Sequence, residues 1–119
     1  MTKNAQTLCD SKCVPCEGGT SVLERNEALS LLSSIPDWSM NETSTAIFRK
    51  QKCSNFVEVI ERINRIAELA ETEQHHPDLH LTGYRQLTIE LTTHAIGGLS
   101  ENDFIIAAKI DRLFHESDT

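Results

Sequence analysis

The sequence predicts an α+β domain, a four-stranded antiparallel sheet with helices packed on one face, in the order α-β-β-α-β-β-α. Three observations carry this. A long apolar 3.6-residue period runs through SNFVEVIERINRIAELAETEQ, a clean two-residue alternation runs through LTIELT, and no series of βαβ units is present. At 119 residues the chain has the length of one ordinary domain.

Taken in order, MTKNAQTLCDSKCVPCEGGT lacks either periodicity and ends in Gly18-Gly19, so residues 1–21 read as a flexible cysteine-containing leader and 22–119 as the single domain. NEALSLLSSIP offers an Asn26 cap, an apolar face and a stop at Pro36, which predicts a short first helix. Two brief strands follow, around Trp38 to Met40 and Ala46 to Lys52, separated by the turn-prone NETS. Ser54 is placed to cap the long central helix, which Pro77 should end near Gln74. Leu79 to Tyr84 and a strand through Leu87, Ile89 and Leu91 to His94 form the second strand pair, turning at Gly83. Gly97-Gly98 breaks that strand. Ser100, with Asp103 three residues on, then opens a last helix through FIIAAKIDRLF.

Eighteen acidic against eleven basic side chains leave a net charge of -7, and the cations do not cluster. Nucleic acid and anionic membranes are therefore not expected partners. The longest apolar run, FIIAA, is far below the ~20 residues of a membrane span, and no signal sequence opens the chain, so a cytoplasmic protein with free thiols is expected.

Cys9-x3-Cys13-x2-Cys16 has the spacing of a radical-enzyme iron-sulfur site, but the large barrel that surrounds such clusters does not fit in this chain. A zinc ion completed by Cys53 or a histidine is the other metal reading, and free thiols in a tail are expected over both. The histidines of ETEQHHPDLH are better candidates for chemistry. Adjacent His75 and His76 in an extended chain project to opposite sides, and no H-E-x-x-H spacing is present, so a zinc hydrolase built on His75, His76 and His80 is not expected. Imidazoles titrate near neutrality and suit proton transfer. His94, ahead of a glycine pair and a helix start, completes a plausible cleft edge. Glu71 lies four residues before His75, so the helical period puts the two on one face, where a carboxylate would hold one imidazole tautomer. Asp103 is read as the acid of a helix start. Trp38 by itself reads as core.

Glu71-x3-His75-His76-Pro77-x6-Tyr84-x9-His94-x8-Asp103 resembles the signature of the pterin-4a-carbinolamine dehydratases, and the similarity extends through IPDW, AIFRKQK and GLSENDFIIAAKID, over about residues 22 to 114. The resemblance implies a 4a-hydroxytetrahydropterin substrate released by an aromatic amino acid hydroxylase, dehydrated to the quinonoid dihydropterin with no metal and no cofactor. It implies that His75 and His94 are the acid/base histidines, that His76 positions substrate and shares in the catalytic set, that Glu71 and Asp103 orient the histidines, and that Trp38 lies near the pterin. Leu79 and Asn102 depart from the mammalian pattern, at the pocket rim. A homodimer or homotetramer is implied, and some relatives also act as coactivators by binding a transcription factor's dimerisation helix.

Overall fold

A computed structural model describes residues 5–10 and 22–117 of the chain. Its elements are α1 (Ala5–Asp10), α2 (Arg25–Leu32), β1 (Ser39–Met40), β2 (Ile47–Lys52), α3 (Phe56–Glu73), β3 (Asp78–Thr82), β4 (Gln86–Leu91), a 3-10 turn (His94–Ile96) and α4 (Glu101–Ser117). The strands form one antiparallel sheet in the order β1-β2-β4-β3. The α+β class and the element order match those expected from the sequence.

The two-residue alternation of β4 does what it predicts. Leu87, Ile89 and Leu91 are buried, and the register sets Gln51, Arg49 and Ile47 of β2 against them. Leu79 and Leu81 of β3 continue the same face. Val59 and Ile66 of α3 and Phe104, Ile106 and Ile110 of α4 close over this face as one core. Burial of such side chains stabilises the layer by roughly 1.5–3 kcal/mol each. On the opposite face Thr88 lies between Lys50 and His80, a row with no apolar residue to bury.

Local chemistry sets the element ends, though not always at the expected residue. Asn55 rather than Ser54 caps α3, its side chain accepting from the Glu58 amide at 2.8 Å. Helix α2 starts at Arg25, one residue ahead of the expected Asn26 cap, and the Glu24 amide donates to Glu27 Oε1 at 3.3 Å. In the NETS turn Asn41 Oδ1 accepts from the amides of Thr45 and Ala46 at 2.9 and 3.1 Å, folding β1 back on β2. Strand β4 stops at Leu91, three residues short of the expected His94, because the chain there bends into the 3-10 turn.

Residues 5–10 depart from the expected flexible leader. They form a helix against α4 with Leu8 fully buried and Cys9 nearly so. Six residues carry too little periodicity to announce a helix, and tertiary packing supplies what propensity cannot. Cys9 and Cys53 are free thiols, while Cys13 and Cys16 lie outside the described residues.

Charged groups that reach into the core stand beside partners of opposite charge or aromatic rings. Arg49 of β2 is bound to Asp111 of α4, and the guanidinium groups of Arg49 and Arg62 stand over the Phe114 ring at 4.8 and 4.7 Å from its centre. Trp38 Nε1 donates to Asp111 Oδ1 at 2.8 Å. Burial pushes the Asp111 carboxyl above the ordinary carboxylate value, with the Trp38 hydrogen bond and the Arg49 charge pulling the other way.

Candidate active site

The C-terminus of α3 builds the first wall of the site. Gln74 takes the left-handed conformation (φ 54°, ψ 40°), and the amide of His75 returns to the Ala70 carbonyl at 3.2 Å. This closure ends the helix at Glu73 and turns His75 away from the helical track. Pro77 then keeps the exit extended toward β3. The opposite wall is the segment after β4. Thr93 and Gly98 form an isolated antiparallel bridge, with Thr93 N donating to Gly98 O at 2.9 Å, and the 3-10 turn carrying His94 is looped out between them. Gly97 ends the turn at φ 68°, a conformation costly for other residues, and Gly98 has Val22 Cγ1 only 2.8 Å from where a Cβ would stand.

Between the walls lies an open cleft of about 210 Å³, lined by residues 74–76 and 92–95. His75, His76 and His94 all face it.

His75 and His76 have different carboxylate partners. His75 is buried, and its Nε2 lies 2.6 Å from Oδ1 of Asp103, itself 0% exposed. The other carboxylate oxygen, Oδ2, accepts from the Thr93 hydroxyl at 2.8 Å and from the Ser100 amide at 2.9 Å. Asp103 is thus both the acid of the α4 start and the partner of His75, two roles met by one carboxylate with two oxygens. A carboxylate only accepts, so in the neutral ring the proton sits on Nε2 and Nδ1 keeps its lone pair. His76, by contrast, is exposed, and its Nε2 lies 3.6 Å from Oε2 of Glu71, also exposed.

The pairing of Glu71 with His75, expected from the four-residue spacing, is therefore replaced. The left-handed Gln74 breaks the helical period one residue before His75, so the acid on the last turn meets His76 instead. Trp38 is not brought to the cleft. It is 3% exposed and spends its N–H on Asp111, on the α4 side of the core. His80 lies on the solvent face of β3, opposite Thr88. Sequence reasoning missed Thr93 and Ser100. The pattern Ser100-x2-Asp103 marks the helix start that includes Ser100, but no local signal marks Thr93.

The fold and site thus define a small α+β protein with an open cleft walled by three histidines, one of them held by a buried carboxylate. The model of the family described as pterin 4 alpha carbinolamine dehydratase matches residues 21–113, and the chain belongs to that family. It is 44% identical over 107 residues to a Halorhodospira halophila protein named as a candidate pterin-4-alpha-carbinolamine dehydratase, covering 90% of this chain and 97% of that one. It is 41% identical over 118 residues to the mitochondrial pterin-4-alpha-carbinolamine dehydratase 2 of Arabidopsis thaliana, covering 92% of this chain and 63% of the plant protein. Among solved structures, a transcriptional coactivator/pterin dehydratase from Brucella melitensis superposes with a TM-score of 0.73 at 26% identity, over 78% of this chain and 98% of that chain.

Proposed function

We propose that this chain is a hydro-lyase that removes water from a pterin-4a-carbinolamine, with His75, His76 and His94 as its proton-handling groups. The reading rests on family membership and, above all, on the Asp103-held His75 opening on a cleft that His76 and His94 share.

The chemistry asks little of a protein. The C4a–O bond breaks and the hydroxyl leaves as water once it has accepted a proton. A ring N–H gives up its proton to a base, and its electrons form the C=N bond of the quinonoid dihydropterin. One acid and one base are enough, each worth roughly 10²- to 10⁴-fold when well placed. His75, with Nε2 committed to Asp103, has one free nitrogen for such a transfer. His94, on its separate turn, approaches from the opposite wall, and exposed His76 stands at the rim where substrate is seated.

In this role the quinonoid product, once a separate reductase has supplied two electrons and returned it to the tetrahydropterin, serves an aromatic amino acid hydroxylase again, in the cytoplasm. Self-association is part of the proposal. Among the described residues, strands β1 and β3 each have one edge without a partner strand, and Phe56, Val57 and Ile60 of α3 are exposed apolar side chains that a second copy would cover. Light scattering of the purified chain would return a dimer or tetramer mass; a monomer at high concentration would remove this part.

The deciding experiment is stopped-flow absorbance of 4a-hydroxytetrahydropterin decay with the uncatalysed rate subtracted. Acceleration by the wild-type chain, reduced about 10²-fold or more in His75→Ala, is expected. A folded protein that gives no acceleration, or His75→Ala and His94→Ala variants with wild-type turnover, would leave a binding module on this scaffold.

A further inference from the structure

We infer that Thr93 is a positioning residue of the site, holding the Asp103 carboxylate at the angle that aims His75 into the cleft. The inference rests on the dehydratase reading for its kinetic effect and on hydrogen-bond geometry for its cause.

A threonine hydroxyl has one proton to give. Thr93 Oγ1 is 2.8 Å from Asp103 Oδ2 and 2.8 Å from Ser100 Oγ. The carboxylate can only accept, so the Thr93 proton goes to Asp103, and the Ser100 hydroxyl must then donate to Thr93. The result is a directed chain: Ser100 O–H to Thr93, Thr93 O–H to Asp103 Oδ2, and His75 Nε2–H to Asp103 Oδ1. All four residues are buried, where such chains polarise one another and where a lost donor is not replaced by water. Without Thr93, Oδ2 keeps, among the described residues, the Ser100 amide alone. One donor fixes a direction but leaves the carboxylate plane free to swing about its Cβ–Cγ bond, and the imidazole would swing with it.

Thr93 also acts through its backbone. Its amide and carbonyl form the bridge to Gly98, and its carbonyl accepts from Ile96 at 3.2 Å, which seats the turn that carries His94. One residue therefore ties the His75 wall to the His94 wall. A substitution that keeps the β-branched shape but removes the hydroxyl separates the two ties. Thr93→Val does this, and Thr93→Ser keeps the hydroxyl.

The test combines pterin turnover with proton NMR of the downfield ring N–H of His75, assigned by its absence in His75→Gln. Thr93→Val should lower kcat about tenfold, the value of one hydrogen bond to a charged group, while KM stays within about twofold. The His75 resonance should move or broaden in Thr93→Val, and Thr93→Ser should bring both kcat and the resonance back. Wild-type kcat with an unmoved resonance in folded Thr93→Val overturns the inference, as does a loss that Thr93→Ser does not reverse. Should Thr93→Val not fold, Ser100→Ala decides: a displaced resonance with a smaller fall in kcat supports the chain, and an unmoved resonance overturns it. Absence of turnover in the wild type would count against the dehydratase reading alone, because the resonance reports the positioning by itself.

Discussion

Two histidines one residue apart are each paired with a carboxylate, and the pairs have little else in common. Asp103 and His75 meet at 2.6 Å, with the acid fully buried and its second oxygen bound by two further donors. Glu71 and His76 meet at 3.6 Å with side chains 74% and 57% exposed. The first pair is a fixed part of the core, in a medium where charge interactions are strong and an orphaned partner is costly. The second sits in water, where such pairs are worth about 0–1 kcal/mol. Adjacent positions in sequence thus give one histidine with a set orientation and one free to follow a ligand. Both would serve the proposed dehydration, which needs a proton moved and a substrate seated.

The largest break in that contrast should come from Asp103→Ala. It strands three donors in the core and releases His75, so turnover should fall by about 10²-fold or more and stability by about 3 kcal/mol, read by stopped flow and by denaturant unfolding. A milder effect than that of Glu71→Gln would erase the distinction drawn between the pairs.

Asp111 lies between the extremes. It is partly exposed but bound to Arg49 and Trp38. Asp111→Ala should cost about 2 kcal/mol, more than a surface pair and less than a fully buried one. Its pH signature has a definite sign. A carboxyl raised in the folded state binds its proton more tightly there than in the unfolded chain, so its contribution to stability declines as pH climbs from the ordinary value near 3.8 toward the raised one. Thermal unfolding of Asp111→Asn should lack that decline, and an unchanged slope relative to wild type would show that Arg49 and Trp38 outweigh burial.

Smallest of all, Glu71→Gln should change stability by less than about 1 kcal/mol and turnover by less than about tenfold, with the residual effect fading as salt is raised. A loss as large as that of Asp103→Ala would mean that His76 is held more firmly than its exposure indicates.

Much of the scaffold was legible in the chain. The alternation of Leu87, Ile89 and Leu91 marked β4 and its buried face, the spacing of Phe56 through Ala70 marked α3, and Pro77 marked its end to within a residue. The three histidines of the cleft were named as candidates from composition, turn signals and family resemblance. Apart from Trp38, which lies in the core and not at the cleft, what went wrong did so at element ends. The helical period was carried one residue too far at Glu71, the strand three residues too far toward His94, and α1 was too short for its packing against α4 to be seen.

The sequence by itself determined which segments are helix and strand, which faces are apolar, and that histidines gather at the end of α3 and after β4. These properties depend on residues within a few positions of one another, where backbone hydrogen bonding and side-chain period are fixed by local geometry. Only the tertiary structure decided the partners. Asp103 reaches His75 across 28 residues and Asp111 reaches Trp38 across 73. Thr93 becomes part of the site only because α4 is packed beside the end of β4. Such contacts are chosen by how the helices settle on the sheet, a collective outcome of the whole core, and no local period records it.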